Sequence, residues 1–189
     1  MMYPAKPQMR PVDFSQVPQI PLKKSECERI IKLFEKPSVE KVKGKINQDG
    51  EKVEHFIRQV EVGIIGDQDS WVCDLVLDIV AEANEYFEFS IFGLLECPQL
   101  LKYQAPNGGY DWHSDVGPDL ASCRKLSVSI ILNDDFEGGE FEFLGHNQKL
   151  KIPKFNAIIF PSFLGHKVHP VKKGTRWSLV SWVAGEPFR

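Results

Sequence analysis

The chain of 189 residues is long enough for one domain with a substantial core, and its 42% hydrophobic and 26% charged residues are ordinary for a globular protein. A net charge of −3 gives no electrostatic signature of nucleic-acid binding, so DNA or RNA is a disfavoured partner. No apolar run is long enough to span a membrane and the N-terminal residues contain no apolar signal-peptide core, so we expect a cytoplasmic location without a membrane partner.

The N-terminal residues 1–23 contain several prolines and are expected to form an irregular arm that ends in a short edge strand. A helix is predicted from Ser25 to about Lys36. Ser25 can cap its N-terminus, Glu28 can complete a capping box, and Pro37 ends it.

Residues 38–54 show no periodicity and are interpreted as a connection or hairpin, followed by a strand from His55 to Ile65. A second helix is predicted from a cap at Ser70 to about Phe87. Its apolar stripe is interpreted as core packing and contains Trp71, Leu75, Ile79, Ala83 and Tyr86.

From residue 99 onward the pattern changes to short strands separated by turns. The predicted strands cover residues 99–104, 110–115, 125–133, 139–143, 149–152, 156–160, 166–170 and 175–184. Two helices followed by about eight strands indicate an α+β fold, with a barrel or two-sheet jelly roll backed by the helices. We expect one domain over residues 1–189, with helical support at about 24–90 and a motif-bearing core at about 99–184.

The four cysteines are far apart and form no close pair of the kind that binds structural zinc, so we expect reduced thiols. Among them, Cys73 lies on the second predicted helix and is interpreted as a small core residue. The other three are Cys27, Cys97 and Cys123.

The most informative pattern is a His-x-Asp pair, His113 and Asp115, on a predicted strand after a Gly-Gly turn. Residues two apart on a strand point to the same face, so the imidazole and the carboxylate can converge. A further histidine, His166 or His169, would complete the two-histidine, one-carboxylate set of non-haem Fe(II) oxygenases. These two differ by three positions and point to opposite faces, and spacing alone leaves the choice open.

The remaining histidines, His55 and His146, have no partnered motif and are interpreted as surface or loop residues. Arg176 alternates with Ser178, Val180 and Trp182 on one face of the last predicted strand. It could be an ordinary surface or salt-bridged arginine. However, the large aromatic on the same face suggests the interior, where a buried arginine needs an anion such as a bidentate carboxylate.

These residues resemble those of the 2-oxoglutarate- and Fe(II)-dependent dioxygenases, and within them the prolyl 4-hydroxylase type. The segment Phe136 to Glu140 is similar to the central hairpin of that group. The tail that follows His166 is also similar and selects His166 over His169. The motifs that carry the resemblance are Tyr103-x6-Tyr110-x2-His113-x-Asp115 and His166-x-Val168-x-Pro170-Val171-x2-Gly174-x-Arg176.

The resemblance implies a double-stranded β-helix core and a role for each matching residue. Fe(II) would be held by His113, Asp115 and His166, and Arg176 would bind the distal carboxylate of 2-oxoglutarate. The other expected pocket residues are Tyr103 on the cosubstrate, Trp182 as a wall near the metal, Ser129 in place of a tyrosine that some members use, and Tyr110. Ser129 is equally consistent with a plain strand residue, and Tyr110 with a core aromatic.

The implied reaction uses O2, releases succinate and CO2, and hydroxylates a C–H bond, with prolyl residues of a protein or peptide as the leading target. Ascorbate often restores Fe(II) in such enzymes. Arg176 replaces a lysine common in collagen-type members, so no collagen-like target is implied. The 38–60 segment, including Arg58, would help to capture the substrate. The alternatives are the same chemistry on another amino acid, a small metabolite or a nucleobase, and a non-catalytic β-helix that binds metal or a partner protein.

Overall fold

The computed structural model describes residues 17–43, 58–145, 150 and 152–187. Over these residues the chain forms two helices and thirteen strands. The helices are α1 (Lys24–Leu33) and α2 (Trp71–Phe87). The strands are β1 (Gln19–Pro21), β2 (Glu40–Lys43), β3 (Arg58–Gln59), β4 (Glu61–Ile64), β5 (Gly93–Leu94), β6 (Gln99–Gln104), β7 (Gly109–His113), β8 (Arg124–Ile131), β9 (Phe136–Gly138), β10 (Phe141–Phe143), β11 (Asn156–Pro161), β12 (His166–Val168) and β13 (Val171–Ala184).

The strands form two antiparallel sheets. The main sheet has the order β1-β11-β8-β13-β6-β4-β2, and the minor sheet has the order β10-β12-β7-β3. Strand β13 is the longest, and it pairs with β6 and β8 along its second half and with β9 near its start. Two antiparallel sheets with helices against one of them confirm the predicted α+β fold with a double-stranded β-helix core.

Side chains on the central strands point alternately to the two faces of the main sheet, and these two faces have different functions. On β8, Leu126, Val128 and Ile130 join the core that α1 and α2 cover. The intervening serines Ser127 and Ser129 are also buried. They belong to the opposite face, which looks toward the minor sheet. The helices therefore stabilise the sheet from behind and leave its other face available for a site.

The first helix does not begin as the sequence suggested. Lys23, not Ser25, is the N-cap, and Glu26, not Glu28, accepts a hydrogen bond from the backbone N–H of the cap residue over 3.1 Å. The preceding strand fixes this start, because Leu22 already donates its N–H to the carbonyl of Phe155. The predicted arm does end in an edge strand, since β1 pairs only with β11 among the described residues.

The second helix has the predicted length, but the predicted cap and stripe need correction. Ser70 occupies the N-cap position of α2, as predicted, but a 3₁₀ turn at Asp67–Asp69 runs directly into the helix. Ser70 therefore has helical backbone angles, and its side chain forms no capping hydrogen bond. Tyr86, placed in the predicted stripe, is 43% exposed, while Trp71 and Leu75 are only partly buried. The face buried against the sheet contains Val72, Val76, Ile79, Val80, Ala83 and Phe87.

The strand predictions were accurate at the centre of the sheet and less so at turns. The predicted strand 139–143 is shorter in the structure, where β10 begins at Phe141. The proposed central hairpin does not form as one unit, because β9 pairs with β13 whereas β10 pairs with β12 in the other sheet. Gly138 and Gly139, both with positive φ, carry the chain between the sheets. Several predicted features lie wholly or partly outside the described residues. These are two of the four positions of the predicted strand 149–152, the residues His55 and His146, and most of the 38–54 connection.

All four cysteines are free thiols, as predicted. The core thiol, however, is Cys27, which is fully buried on α1, whereas Cys73 is only half-buried. Burial raises the pKa of Cys27 to about 11. Among the described residues, no helix is both long and apolar enough to cross a membrane.

Candidate metal centre

A cavity of about 310 Å³ lies between the main and minor sheets. Residues from β6, β8, β11 and β13 form one wall, and residues from β7, β10 and β12 form the other. Every residue predicted for the site lines this cavity, namely Tyr103, Tyr110, His113, Asp115, Ser129, His166, Arg176 and Trp182.

The structure brings His113, Asp115 and His166 together at one end of the cavity. His113 and His166 are directly opposed on β7 and β12, and their ring centres are 4.2 Å apart. The Nε2 atom of His113 lies 3.7 Å from Oδ1 of Asp115, and Nε2 of His166 lies 3.7 Å from Oδ2. The potential ligand atoms of the three residues all lie within 4.8 Å of one another. This spacing fits one metal ion.

Backbone carbonyls orient both imidazoles toward that position. The Nδ1 atom of His113 lies 2.7 Å from the carbonyl oxygen of Asp111, and Nδ1 of His166 lies 2.9 Å from that of Leu164. A carbonyl oxygen can only accept, so each Nδ1 carries the hydrogen and each Nε2 presents a lone pair. This arrangement is typical of metal-binding histidines. Two imidazoles and one carboxylate suit a non-haem Fe(II) centre.

Asp115 reaches the cluster from a turn and not from the strand that was predicted to carry it. Strand β7 ends at His113, and the backbone N–H of Asp115 donates instead to the carbonyl of Ser162 over 2.9 Å. Its carbonyl accepts a hydrogen bond from Arg124 at 3.0 Å, and its Oδ2 accepts one from the hydroxyl of Ser127 at 2.6 Å. Both backbone groups and the carboxylate are therefore held in place.

Aromatic rings enclose the two histidines. The ring of Tyr110 stacks on that of His113, with centres 3.5 Å apart and 14° between the planes. Phe141 stacks on His166 at 5.2 Å, and Phe160 contacts the same imidazole edge-on at 4.9 Å. Tyr110 thus lies against an imidazole and also lines the cavity, in addition to packing in the core.

Arg176 is completely buried, and its guanidinium faces the same cavity. Nη1 donates to the hydroxyl of Ser178 over 2.8 Å, but Nε and Nη2 have no hydrogen-bond partner among the described residues. Burial lowers the pKa of Arg176, because desolvation disfavours its charged form. Unpaired buried donors on a cation are costly. Their position at the cavity wall fits a bound carboxylate.

The side chain of Arg176 is confined by its neighbours. Tyr103 is its cross-strand partner on β6, with the ring centre 5.3 Å from the guanidinium carbon. Gly139 approaches from the other side with a φ of +66°, and a Cβ at that position would lie 2.6 Å from Cδ of Arg176. The absence of a side chain at residue 139 therefore leaves room for the arginine.

His169, the alternative left open by spacing, does not belong to the cluster. It lies just after β12, and its Nε2 atom is 2.5 Å from Oε2 of Glu142 on the neighbouring strand. The hydrogen bond from His169 lowers the pKa of Glu142. The side chain of Arg58, suggested as a substrate contact, lies outside the described part of the structure.

Sequence reasoning missed Ser127, Arg124 and Glu96. Ser127 could have been found, because Ser127 and Ser129 alternate with apolar residues in the part of β8 that follows Lys125. Arg124 forms an ion pair with Glu96 and lies over the ring of Trp182. No local pattern connects these residues, since 28 positions separate Glu96 from Arg124.

Comparisons with known proteins agree with this geometry. A family model described as the 2OG-Fe(II) oxygenase superfamily matches residues 98–184, which include the three clustered residues and Arg176. A PKHD-type hydroxylase of Synechococcus sp. (strain CC9902) is 35% identical over 88 residues, which are 44% of this chain and 40% of that protein. The chain thus matches less than half the length of this curated relative.

Solved structures with similar folds extend the likeness to most of the chain. One is a viral collagen prolyl hydroxylase from Paramecium Bursaria Chlorella virus-1 in a 2OG complex, with a TM-score of 0.67, 20% identity, and coverage of 89% of this chain and 96% of the other. Another is a prolyl hydroxylase from Trichoplax adhaerens with a hypoxia inducible factor peptide fragment, with a TM-score of 0.66, 17% identity, and coverage of 90% and 84%. At these identities the likeness concerns the fold.

Proposed function

We propose that this chain is a member of the 2OG-Fe(II) oxygenase superfamily and acts as an Fe(II)- and 2-oxoglutarate-dependent hydroxylase of prolyl residues in a protein or peptide. The reaction would release succinate and CO2, and ascorbate would keep the iron reduced. The single observation that carries the proposal is the cavity itself. It joins a cluster of two histidines and one carboxylate to a buried arginine with two unpaired nitrogen donors.

In this proposal His113, Asp115 and His166 hold Fe(II). The two Nε2 atoms face inward because the Nδ1 hydrogens are bonded to carbonyls, so each imidazole can bind metal without reorienting. The carboxylate of Asp115 supplies the anionic ligand. Bound Fe(II), with 2-oxoglutarate and O2, supplies the oxidising chemistry that places an oxygen atom on a substrate C–H bond.

Arg176 binds the distal carboxylate of 2-oxoglutarate. Nη1 is held by Ser178, so Nε and Nη2 remain to donate to two carboxylate oxygens in the planar geometry that a guanidinium favours. Tyr103 covers one side of the guanidinium and contacts the cosubstrate, with Ser129 and Trp182 along the wall. The apolar lining, which includes Leu101, Val180 and Phe160, excludes water from the bound acid.

A prolyl target is supported by the relatives and not by a contact in this chain. Two structures with the same fold are described as prolyl hydroxylases, and one of them is described as a complex with a peptide fragment. This chain would bind a segment of substrate in the cavity, whose lining includes Val116 and Ala121. The same chemistry on a different amino acid, a metabolite or a nucleobase is the alternative that the test must separate.

The test is incubation of the purified protein with Fe(II), 2-oxoglutarate, ascorbate and a library of prolyl peptides, followed by mass spectrometry of the peptides and measurement of succinate. We expect one proline in a subset of peptides to gain one oxygen atom, with an equal amount of succinate formed. His113→Ala is the control that removes a metal ligand.

Three outcomes are separable. Peptide oxidation that His113→Ala abolishes supports the whole proposal. Succinate formation without modification of any prolyl peptide retains the reaction and rejects the prolyl target. Absence of succinate formation in the presence of Fe(II) and every peptide contradicts the proposed reaction.

A further inference from the structure

Arg124 lines the cavity and connects its own strand, β8, to three other segments of the chain. Its Nε and Nη2 atoms donate to the carboxylate of Glu96 at 2.9 and 2.8 Å. Its Nη1 atom donates to the backbone carbonyl of Asp115 at 3.0 Å, and the guanidinium carbon lies 3.9 Å from the ring centre of Trp182. These partners come from the segment before β6, the turn after β7 and the end of β13.

The contacts leave Arg124 little capacity to bind a ligand of its own. All three guanidinium nitrogens already donate to protein oxygens, and Trp182 covers one face of the group. The side chain is only 19% exposed, and its carboxylate partner is 23% exposed. Arg124 differs in this respect from Arg176, in which two nitrogens are unpaired within the cavity. Arg124 is therefore better placed to hold neighbouring segments in position than to bind an anionic substrate.

The hydrogen bond from Arg124 holds Asp115, the one residue of the metal cluster that lies outside a strand. His113 and His166 are fixed by the ladder between β7 and β12, whereas Asp115 depends on individual hydrogen bonds for its backbone orientation. Its N–H is bound by Ser162 and its carbonyl by Arg124. Loss of the bond to the carbonyl would free the backbone at Asp115 to change conformation, and the direction of the carboxylate would change with it.

We propose that Arg124, held by Glu96, is a positioning residue that sets the Asp115 carboxylate for metal binding and fixes Trp182 at the cavity wall. This inference rests on the metal role proposed for Asp115. Glu96 acts through Arg124, because its two oxygens fix the orientation of the guanidinium from which Nη1 reaches the Asp115 carbonyl. Lysine cannot replace Arg124, because a single ammonium group cannot span both acceptors in the same geometry.

The experiment measures binding of Mn(II) to the metal-free protein, with free Mn(II) followed by its electron paramagnetic resonance signal. The variants are Arg124→Gln, Arg124→Lys, Glu96→Gln and the double variant with both glutamines. The matched control is Lys102→Gln, which breaks another partly buried ion pair, to Glu61 at 3.1 Å, on a residue that does not line the cavity. Urea unfolding of each metal-free variant reports stability separately.

We expect Arg124→Gln and Arg124→Lys to weaken Mn(II) binding by about tenfold, as for other residues that orient metal ligands. Glu96→Gln should weaken it by a smaller factor, and the double variant should resemble Arg124→Gln because the two residues act as one unit. Lys102→Gln should leave Mn(II) affinity unchanged, whatever loss of stability urea unfolding reports for it. The absorption spectrum of bound Co(II) should change in the Arg124 variants, because the ligand geometry changes.

Mn(II) affinity within twofold of the wild type in both Arg124 variants, with an unaltered Co(II) spectrum, would overturn the inference and leave Arg124 as a structural ion pair. Full recovery of affinity in Arg124→Lys would also contradict it, because charge alone would then suffice. Failure of the wild-type protein to bind Mn(II) or Co(II) would be a different result. It would contradict the metal role of the cluster, and this inference with it.

Discussion

Arg176 and Ser178 face one cavity from the same strand, and Nη1 of the arginine donates a hydrogen bond to the serine hydroxyl over 2.8 Å. This bond orients a fully buried guanidinium so that its other two nitrogens remain available to a ligand. The same strand carries Ser181, a buried serine whose hydroxyl has no hydrogen-bond partner among the described residues and which does not line the cavity. The two serines form a natural pair for comparison.

Ser178→Ala should weaken 2-oxoglutarate binding several-fold, because the guanidinium loses the bond that fixes its rotation. It should also lower the free energy of unfolding by about 1–3 kcal/mol, since a buried charged donor loses its partner. Isothermal titration calorimetry of the Mn(II)-loaded protein and urea unfolding measure the two effects. Ser181→Ala should change neither quantity substantially. Equal effects of the two substitutions on 2-oxoglutarate affinity would count against the proposed orientation of Arg176.

Ser127→Ala should weaken Mn(II) binding, because Oδ2 of Asp115 loses the hydroxyl that donates to it over 2.6 Å. We expect a loss of about tenfold, the lower end of the range for residues that orient metal ligands. Ser127→Thr retains the hydroxyl and should restore most of the affinity.

The matched control is Ser129→Ala, on the same strand and the same face, whose hydroxyl forms no hydrogen bond to the carboxylate of Asp115 in the described part of the structure. It should leave Mn(II) affinity within twofold of the wild type. If the two alanine variants bind Mn(II) equally well, Ser127 does not orient the carboxylate.

The pH dependence of stability should include a contribution from Asp69, which links α1 to the turn before α2. Its carboxylate accepts hydrogen bonds from Lys36 at 2.8 and 3.0 Å, and this interaction lowers the pKa of Asp69 below 3.8. A depressed folded-state pKa stabilises the fold above the unfolded value of about 3.9, and the contribution disappears as pH falls through the folded pKa.

Asp69→Asn should therefore lower the free energy of unfolding by about 1 kcal/mol at pH 7 and have a smaller effect at pH values below the folded-state pKa of Asp69. Urea unfolding across this range measures the difference. A loss that stays constant down to the lowest pH would show that the ion pair with Lys36 is not the cause.

The four thiols should react with iodoacetamide in the order of their exposure. Cys97 is exposed, whereas Cys27 is fully buried and its pKa is raised to about 11. Cys97 should therefore be labelled first and Cys27 only when the fold opens. Mass spectrometry of peptides taken during labelling measures the order. Cys97→Ser should remove the fastest step, and labelling of Cys27 at a similar rate would contradict the described burial.

The sequence predicted best those features that depend on local periodicity. Strand β6 was predicted with its observed bounds, and the alternation on β13 correctly placed Arg176 and Trp182 on one face. The start of α1 was wrong because the pairing of β1 with β11 determines where the helix can begin. The stripe of α2 was shifted because tertiary packing selects the buried face, and Tyr86 lies at its edge.

In the candidate site, too, local patterns were predicted better than contacts between distant residues. His113 and Asp115 converge, as the sequence predicted. The prediction attributed this to the alternation of side chains on one strand, whereas Asp115 in fact lies in a turn whose backbone is hydrogen-bonded to Ser162. The choice of His166 over His169 came from the resemblance and agrees with the observed cluster. Arg124 could not have been connected to Asp115 from the sequence, because a hydrogen bond between an arginine side chain and a distant carbonyl leaves no periodic pattern.

In the proposed function, one cavity binds a metal ion at the histidine–aspartate cluster and 2-oxoglutarate between that metal and Arg176. The most direct measurement is anaerobic calorimetric titration of 2-oxoglutarate into the protein with and without Mn(II), compared for the wild type, His113→Ala and Arg176→Ala. We expect tight binding by the metal-loaded wild type, and losses of at least about tenfold without Mn(II) and in each variant. Binding that is independent of Mn(II) and unchanged in Arg176→Ala would contradict the claim.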